Sequence, residues 1–297
     1  MRITLNAAIG AGALAALLLS GSGVGVARSA QSAQGSQSAP AQQQQPSDKD
    51  KQPNPPPLSM DAAPPVATTP EEEAAYKAFQ AAPPTDVNKK IQLAEDFLKK
   101  YPQSRYRPAA YQSLVSGYFA TQQVPKLLDA GDKEIALNPN DAPVLAVVAQ
   151  TIARTFDAKA PDADQQLQKA ETYSKRAIEI IPTLPKPASL SDDAFTIAKN
   201  DTLEMAHSGL GLVYVRRGKF TEAIPELEQS IKANTHPQAD PVNYYLLGMA
   251  DSKTSHFDAA VNAFTKCAAI QSGLQPTCKA GADEAKKAGA SQLSAPN

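Results

Sequence analysis

The chain has 297 residues, of which 42% are hydrophobic and 20% charged, and its 29 basic residues are balanced by 30 acidic ones. That apolar content is enough for a sizeable core in one or two domains, which excludes a wholly disordered chain. The near-neutral balance, with no basic run to displace phosphate counterions, argues against nucleic acid as a partner.

From Met1 to about Ala27, Arg2 is the only charge ahead of an apolar run, Ala7 to Leu19, and the small residues Ser20 to Gly23. This layout predicts a secretory signal peptide over 1–27, cut after Gly25-Val26-Ala27. The strongly apolar part is shorter than the ~20 residues of a membrane span, so membrane association is expected only if the segment is retained. No cysteine follows the run to accept a lipid, and the product is expected to be exported, periplasmic or secreted. Residues 28–69 are rich in Gln, Ser, Ala and Pro and hold little that anchors a core, which predicts a disordered linker.

Order is expected to begin at Thr69-Pro70-Glu71-Glu72-Glu73: a hydroxyl N-cap, a proline in the first helical position, and acids in the first turn. From there to about Lys287 apolar residues recur at helical spacing, with no useful alternating run, so the folded part is predicted to be all-α. Internal similarity then decides the arrangement. A shift of 37 places Leu210 on Leu247, Gly211 on Gly248, Phe220 on Phe257, Ala223 on Ala260 and Leu227 on Phe264. The two glycines let a second helix approach the first, and leucine at either is expected to overpack the crossing by about 1–3 kcal/mol. The extra length of this unit falls in a loop around His236, Pro237 and Gln238.

Weaker copies lie upstream. Tyr111, Leu114, Tyr118 and Pro139 fall in register, but Val115 stands at the glycine position and Gly131 at an aromatic one. The next copy pairs Val144 to Ala153 with Ala170, Ala177 and Pro182, with an enlarged turn from Phe156 to Gln165. Residues 183–200 read as a loop and then an early helix start capped at Ser191-Asp192-Asp193.

These positions resemble the tetratricopeptide repeat family. One unit carries His207, Leu210, Gly211, Tyr214, Ala223, Leu227 and Ser230; the next carries Tyr244, Leu247, Gly248, Asp251, Ala260, Phe264 and Cys267. His207 and Asp251 depart from the family's aromatic and tyrosine. Phe97, Tyr101, Pro102 and Ser104 are similar to the form of the repeat found in bacterial envelope assembly and coordinator proteins. The resemblance implies a right-handed α-solenoid of about four to five helix-turn-helix units over 70–275, each stabilised by stacking on its neighbours, with a capping helix and tail over 276–297. It also implies a concave groove lined by Gln112, Ser116, Phe119, Gln150, Arg154, Ser208, Leu212, Arg216, Tyr245, Met249 and Lys253.

Such a lining suits a protein or peptide partner. The Lys and Asn clamp with which some family members hold a terminal carboxylate is not reproduced at Gln112, Ala146, Ser208 or Tyr245. The function implied is a non-catalytic scaffold or adaptor of the bacterial envelope. A structural part in outer-membrane or cell-wall assembly is the alternative, and an enzyme subunit the third reading.

His207, His236 and His256 have no second ligand at i+4 and no cysteine pair nearby, so structural or surface roles are expected and no metal site. No catalytic or cofactor-binding motif is found, and the acids at 71–73 and 192–193 sit at helix starts, where the helix dipole explains them. Cys267 and Cys278 are the only cysteines, and in an exported protein they invite a disulfide that would pin the capping helix over the last apolar face. Two buried free thiols, or a redox-active pair, are the alternatives.

Overall fold

Five helix starts are fixed by a side chain that accepts an otherwise orphaned backbone N–H. Thr69 caps α1 (Pro70–Ala81) through Glu72 N at 3.1 Å, and Asp86 caps α2 (Val87–Lys100) through Lys89 N at 3.0 Å. Asp141 caps α5 (Ala142–Thr155), Ser191 caps α7 (Asp192–Arg216), and Asp240 caps α9 (Pro241–Lys253). Between and after them run α3 (Arg107–Ala120), α4 (Val124–Leu137), α6 (Ala163–Ile180), α8 (Phe220–Ala233), α10 (Phe257–Ala269) and α11 (Gln275–Leu293). The computed structural model describes residues 68–293 except Pro84, and no strand occurs among the described residues. The expected signal peptide, nearly all of the linker and the tail at 294–297 lie outside the described residues.

The helices pack as successive pairs: α1 with α2, α3 with α4, α5 with α6, α7 with α8 and α9 with α10, closed by α11. First helices also touch one another in sequence, α3 to α5 to α7 to α9 to α11, and each second helix from α4 onward leans on the first helix of the next pair. This is the stack of helix pairs that the repeat pattern implies, and it distributes stability over neighbour contacts. The early start of α7 at Asp192, capped by Ser191, agrees with the expectation from the sequence.

Three of the turns inside a pair are built alike. In each, the third residue past the first helix bonds back five residues: Gln123 N to Tyr118 O at 2.9 Å, Lys219 N to Tyr214 O at 2.9 Å, and His256 N to Asp251 O at 2.8 Å. That closure needs a left-handed residue just before. The position is Gly218 in one turn (φ 71°) but Gln122 (57°) and Ser255 (64°) in the others.

Close approach between helices explains where glycines stand. A Cβ on Gly211 would lie 2.7 Å from Leu227 Cγ, and one on Gly248 would lie 2.8 Å from the Phe264 ring, so both admit a large side chain from the second helix. The pair α3 and α4 reverses this: Val115 occupies the glycine position and Gly131 the large one. A Cβ on Gly131 would lie 2.3 Å from Val148 Cγ2 and 3.8 Å from Val115 Cγ2, so the unit that departs from the pattern remains size-complementary.

The deepest helix is α5, buried at every residue from Ala142 to Ala153. Its neighbour α7 comes close enough that a Cβ on Gly209 would lie 3.2 Å from the backbone of Gln150. At the carboxyl end, Cys267 and Cys278 are joined by a disulfide that ties α10 to α11, and Phe264, Ala260, Ala282 and Ala285 pack beneath it. No described helix is long and apolar enough to cross a membrane.

Candidate functional site

Stacking of first helix on first helix uses many of the side chains that the sequence assigned to an open groove. Gln112 donates from α3 to Asp141, the N-cap of α5, and Arg154 reaches from α5 to Asp240, the N-cap of α9. Ser208 of α7 donates to Asn243 of α9 at 2.7 Å; Asn243 in turn donates to Ser230 at 2.9 Å, and Ser230 donates to the Glu204 carbonyl at 3.0 Å. Ser208, Asn243 and Ser230 are all buried, so this chain of hydrogen bonds is an internal tie.

Gln150, Ser208 and Leu212 are buried at 4%, 2% and 4% exposure, which corrects their expected place on an accessible lining. The cause is the near contact of α5 and α7 at Gly209, which takes up the face that a partner would otherwise use. Tyr245 and Met249 are half-buried and pack toward Phe264 under α11. Ser116 and Phe119 are half-buried on α3, while Arg216 and Lys253 are exposed.

One of these expected residues lies in a distinct cleft. Arg216 stands with Arg217, Lys219, Phe156, Ala158, Ala163, Asp164, Gln165, Leu167 and Gln168 around a space of about 830 Å³. Three elements make it: the end of α7 with its turn, the amino-terminal turns of α6, and the loop that follows α5. Phe156 and Leu167 supply an apolar floor, and the charged lining residues are Arg216, Arg217 and Lys219 against Asp164.

The cations there are not equivalent. Arg217 is engaged with Glu171 and donates to Gln168 Oε1 at 3.1 Å. Glu171 also takes Lys175 at 2.6 Å, and these cations hold its pKa down against the opposing effect of burial. Lys219 lies 6.0 Å from the centre of the Tyr214 ring. Arg216 sits 5.7 Å from the Phe156 ring centre and makes no ion pair among the described residues; the cleft walls partly desolvate it and lower its pKa. A guanidinium on an aromatic face beside an apolar floor offers a bidentate donor for a carboxylate and a seat for an adjoining apolar side chain.

Repeat register points to Arg216 but not to its surroundings, because it says nothing of what an enlarged turn brings near. The available signal was Phe156, a lone aromatic at the head of the loop between α5 and α6. The histidines also divide. His207 bonds Glu226 at 2.7 Å across α7 and α8, and His256 lies 3.8 Å from Asp251 in its own turn. His236 is different, for the loop before α9 brings it beside Asp201 and Glu204.

No protein-family model matches the chain, and no curated protein matches it. Solved structures similar to it include TTC0263, a thermophilic TPR protein of Thermus thermophilus, with 17% identity and a TM-score of 0.43 over 73% of this chain and 99% of that one. Another is the MamA RS-1 ArsTM double mutant, with 12% identity and a TM-score of 0.47 over 68% of this chain and 94% of that one.

Proposed function

We propose that this protein is a non-catalytic helical-repeat scaffold that holds a partner protein, and that the Phe156–Arg216 cleft is a principal contact, taking an acidic segment with an adjacent apolar residue. The observation that carries the reading is Arg216: an exposed guanidinium, partly desolvated, without a carboxylate partner, over an aromatic ring in a cleft large enough for several side chains. A cation left uncompensated in such a place gains more from an incoming carboxylate than one in open water. The rigid stack behind it holds the cleft in shape and limits the ordering entropy lost on binding.

An apolar amino-terminal segment of signal-peptide layout and a disulfide between Cys267 and Cys278 both suit an exported protein working in an oxidising compartment such as the bacterial periplasm. Amino-terminal sequencing of the protein from its own cells is expected to begin at Arg28; recovery of unprocessed chain in the cytosol would refute the assignment.

Peptide display against the full chain tests the binding function. Selection is expected to enrich peptides with Asp or Glu beside an aliphatic or aromatic residue, and Arg216→Glu is expected to abolish the enrichment. Peptides without an acid, or equal enrichment by the variant, would remove the cleft from the account.

A further inference from the structure

We propose that Asp201, Glu204 and His236 form a binding site for a divalent transition metal, zinc by chemical preference, which clamps α7 to the loop preceding α9. The three side chains each offer one ligand atom, and these atoms lie within 4.8 Å of one another. Two carboxylates spaced i, i+3 share one face of α7, and the imidazole arrives from a loop 32 residues beyond Glu204. Backbone donation from His236 N to Asn234 Oδ1 at 2.7 Å fixes the start of that loop.

The second observation is Asp201 itself. It is 5% exposed, and while its Oδ1 accepts from Thr235 Oγ1 at 2.5 Å and lies 3.6 Å from His236 Nε2, its Oδ2 is buried with no hydrogen-bond partner. A buried carboxylate oxygen with no donor is costly unless a cation satisfies it. Nearby charge points the same way. Asp240 and Asp201 both bear on Glu204, and Arg154, the cation that offsets them there, is committed to Asp240. The acidic groups therefore outnumber the cation beside them, which suits a divalent ion.

The donor set selects the ion. One imidazole with two carboxylates suits zinc and its neighbours in the first transition row, whereas calcium and magnesium prefer all-oxygen shells. Ligand bonds of about 2.0–2.2 Å place tetrahedral donors ~3.4 Å apart, which side-chain rotation of the exposed His236 and half-buried Glu204 can reach from the present spacing. Three protein ligands leave the fourth position to water. The loop concerned holds the extra length of this unit, so the ion would fasten the joint between the last two helix pairs.

The experiment is zinc titration of the full chain after chelator treatment, by calorimetry and by competition with a chromogenic chelator, with cobalt as a spectroscopic substitute. One zinc per chain is expected, with tetrahedral cobalt bands in the visible. His236→Ala is expected to weaken binding by more than about tenfold while leaving the metal-free melting temperature unchanged, because its ring is largely outside the core. Asp201→Asn is expected to weaken it similarly, and His256→Ala is the control that binds like the parent. Zinc is expected to raise the melting temperature of the parent and not of His236→Ala. Absence of stoichiometric binding by the parent, equal binding by His236→Ala, or preference for calcium over zinc would each overturn the proposal.

Discussion

Replacing Gly131 by alanine tests whether α4 and α5 approach as closely as the structure places them. The added methyl would begin 2.3 Å from Val148 Cγ2, against ~3.5–4.0 Å for a relaxed carbon contact, so one of the two groups must move by more than ~1 Å. Val148 cannot yield cheaply, since it is fully buried on a helix buried along nearly its whole length. Overpacking of this kind costs about 1–3 kcal/mol, and alanine recovers roughly 1 kcal/mol of helix propensity over glycine. The net expectation for Gly131→Ala is destabilisation by ~0–2 kcal/mol, toward the upper end because Val148 is held. Val148→Ala alone removes two buried methyl groups and leaves a void, for about 2–3 kcal/mol. In the double variant the new methyl enters that void, so its loss should fall below the sum of the singles by ~1–2 kcal/mol. Urea unfolding followed by far-UV circular dichroism measures all four proteins. Additivity within ~0.5 kcal/mol would show that the two side chains do not compete for one space.

Glu134 is fully buried, and neither carboxyl oxygen meets a hydrogen-bond partner of good geometry; burial, then the charge of Asp141, pushes its pKa up to about 9. Its native form therefore keeps a proton that the unfolded chain releases above about pH 4.3, so stability should fall as pH rises from there toward 9, by up to ~1.4 kcal/mol per unit. Glu134→Gln should flatten that dependence in unfolding curves taken across the range, and an unchanged slope would contradict the assignment. Gln122 and Ser255 hold left-handed conformations that Gly218 adopts without strain, so Gln122→Gly and Ser255→Gly should each stabilise by about 0.5–1 kcal/mol; a loss of stability in thermal melts would show that their side chains matter more than their φ. Reduction of the disulfide, which spans 11 residues, should cost ~2–3 kcal/mol and raise amide exchange in α11 before other helices. Uniform exchange on reduction would mean that the cap is not separately held.

The helix count and the pairing of neighbours were legible because capping residues and apolar spacing are local, and because the 37-residue shift aligned Leu210 with Leu247 and Gly211 with Gly248. What the repeat register could not show is how tightly first helices press together. It placed Ser208 and Gln150 on an open lining, whereas the absence of a side chain at Gly209 brings α7 onto the backbone of Gln150 and buries both. The Val115 and Gly131 exchange looked like a weak match until packing showed the two sizes to be complementary. His236 was read by its sequence neighbours alone, and its companions Asp201 and Glu204 lie a whole helix hairpin away. Long-range juxtaposition of that kind leaves no periodic trace.

Site-specific crosslinking in the cells of origin tests the central claim most directly. A photoreactive residue at Ala158, on the cleft wall beside Phe156, is expected to capture a defined protein partner in the native chain and to lose it when Arg216 is changed to Glu. Capture of the same partner by the Arg216→Glu protein, or capture from Lys253 on α9 but never from Ala158, would contradict a partner-holding role for the cleft.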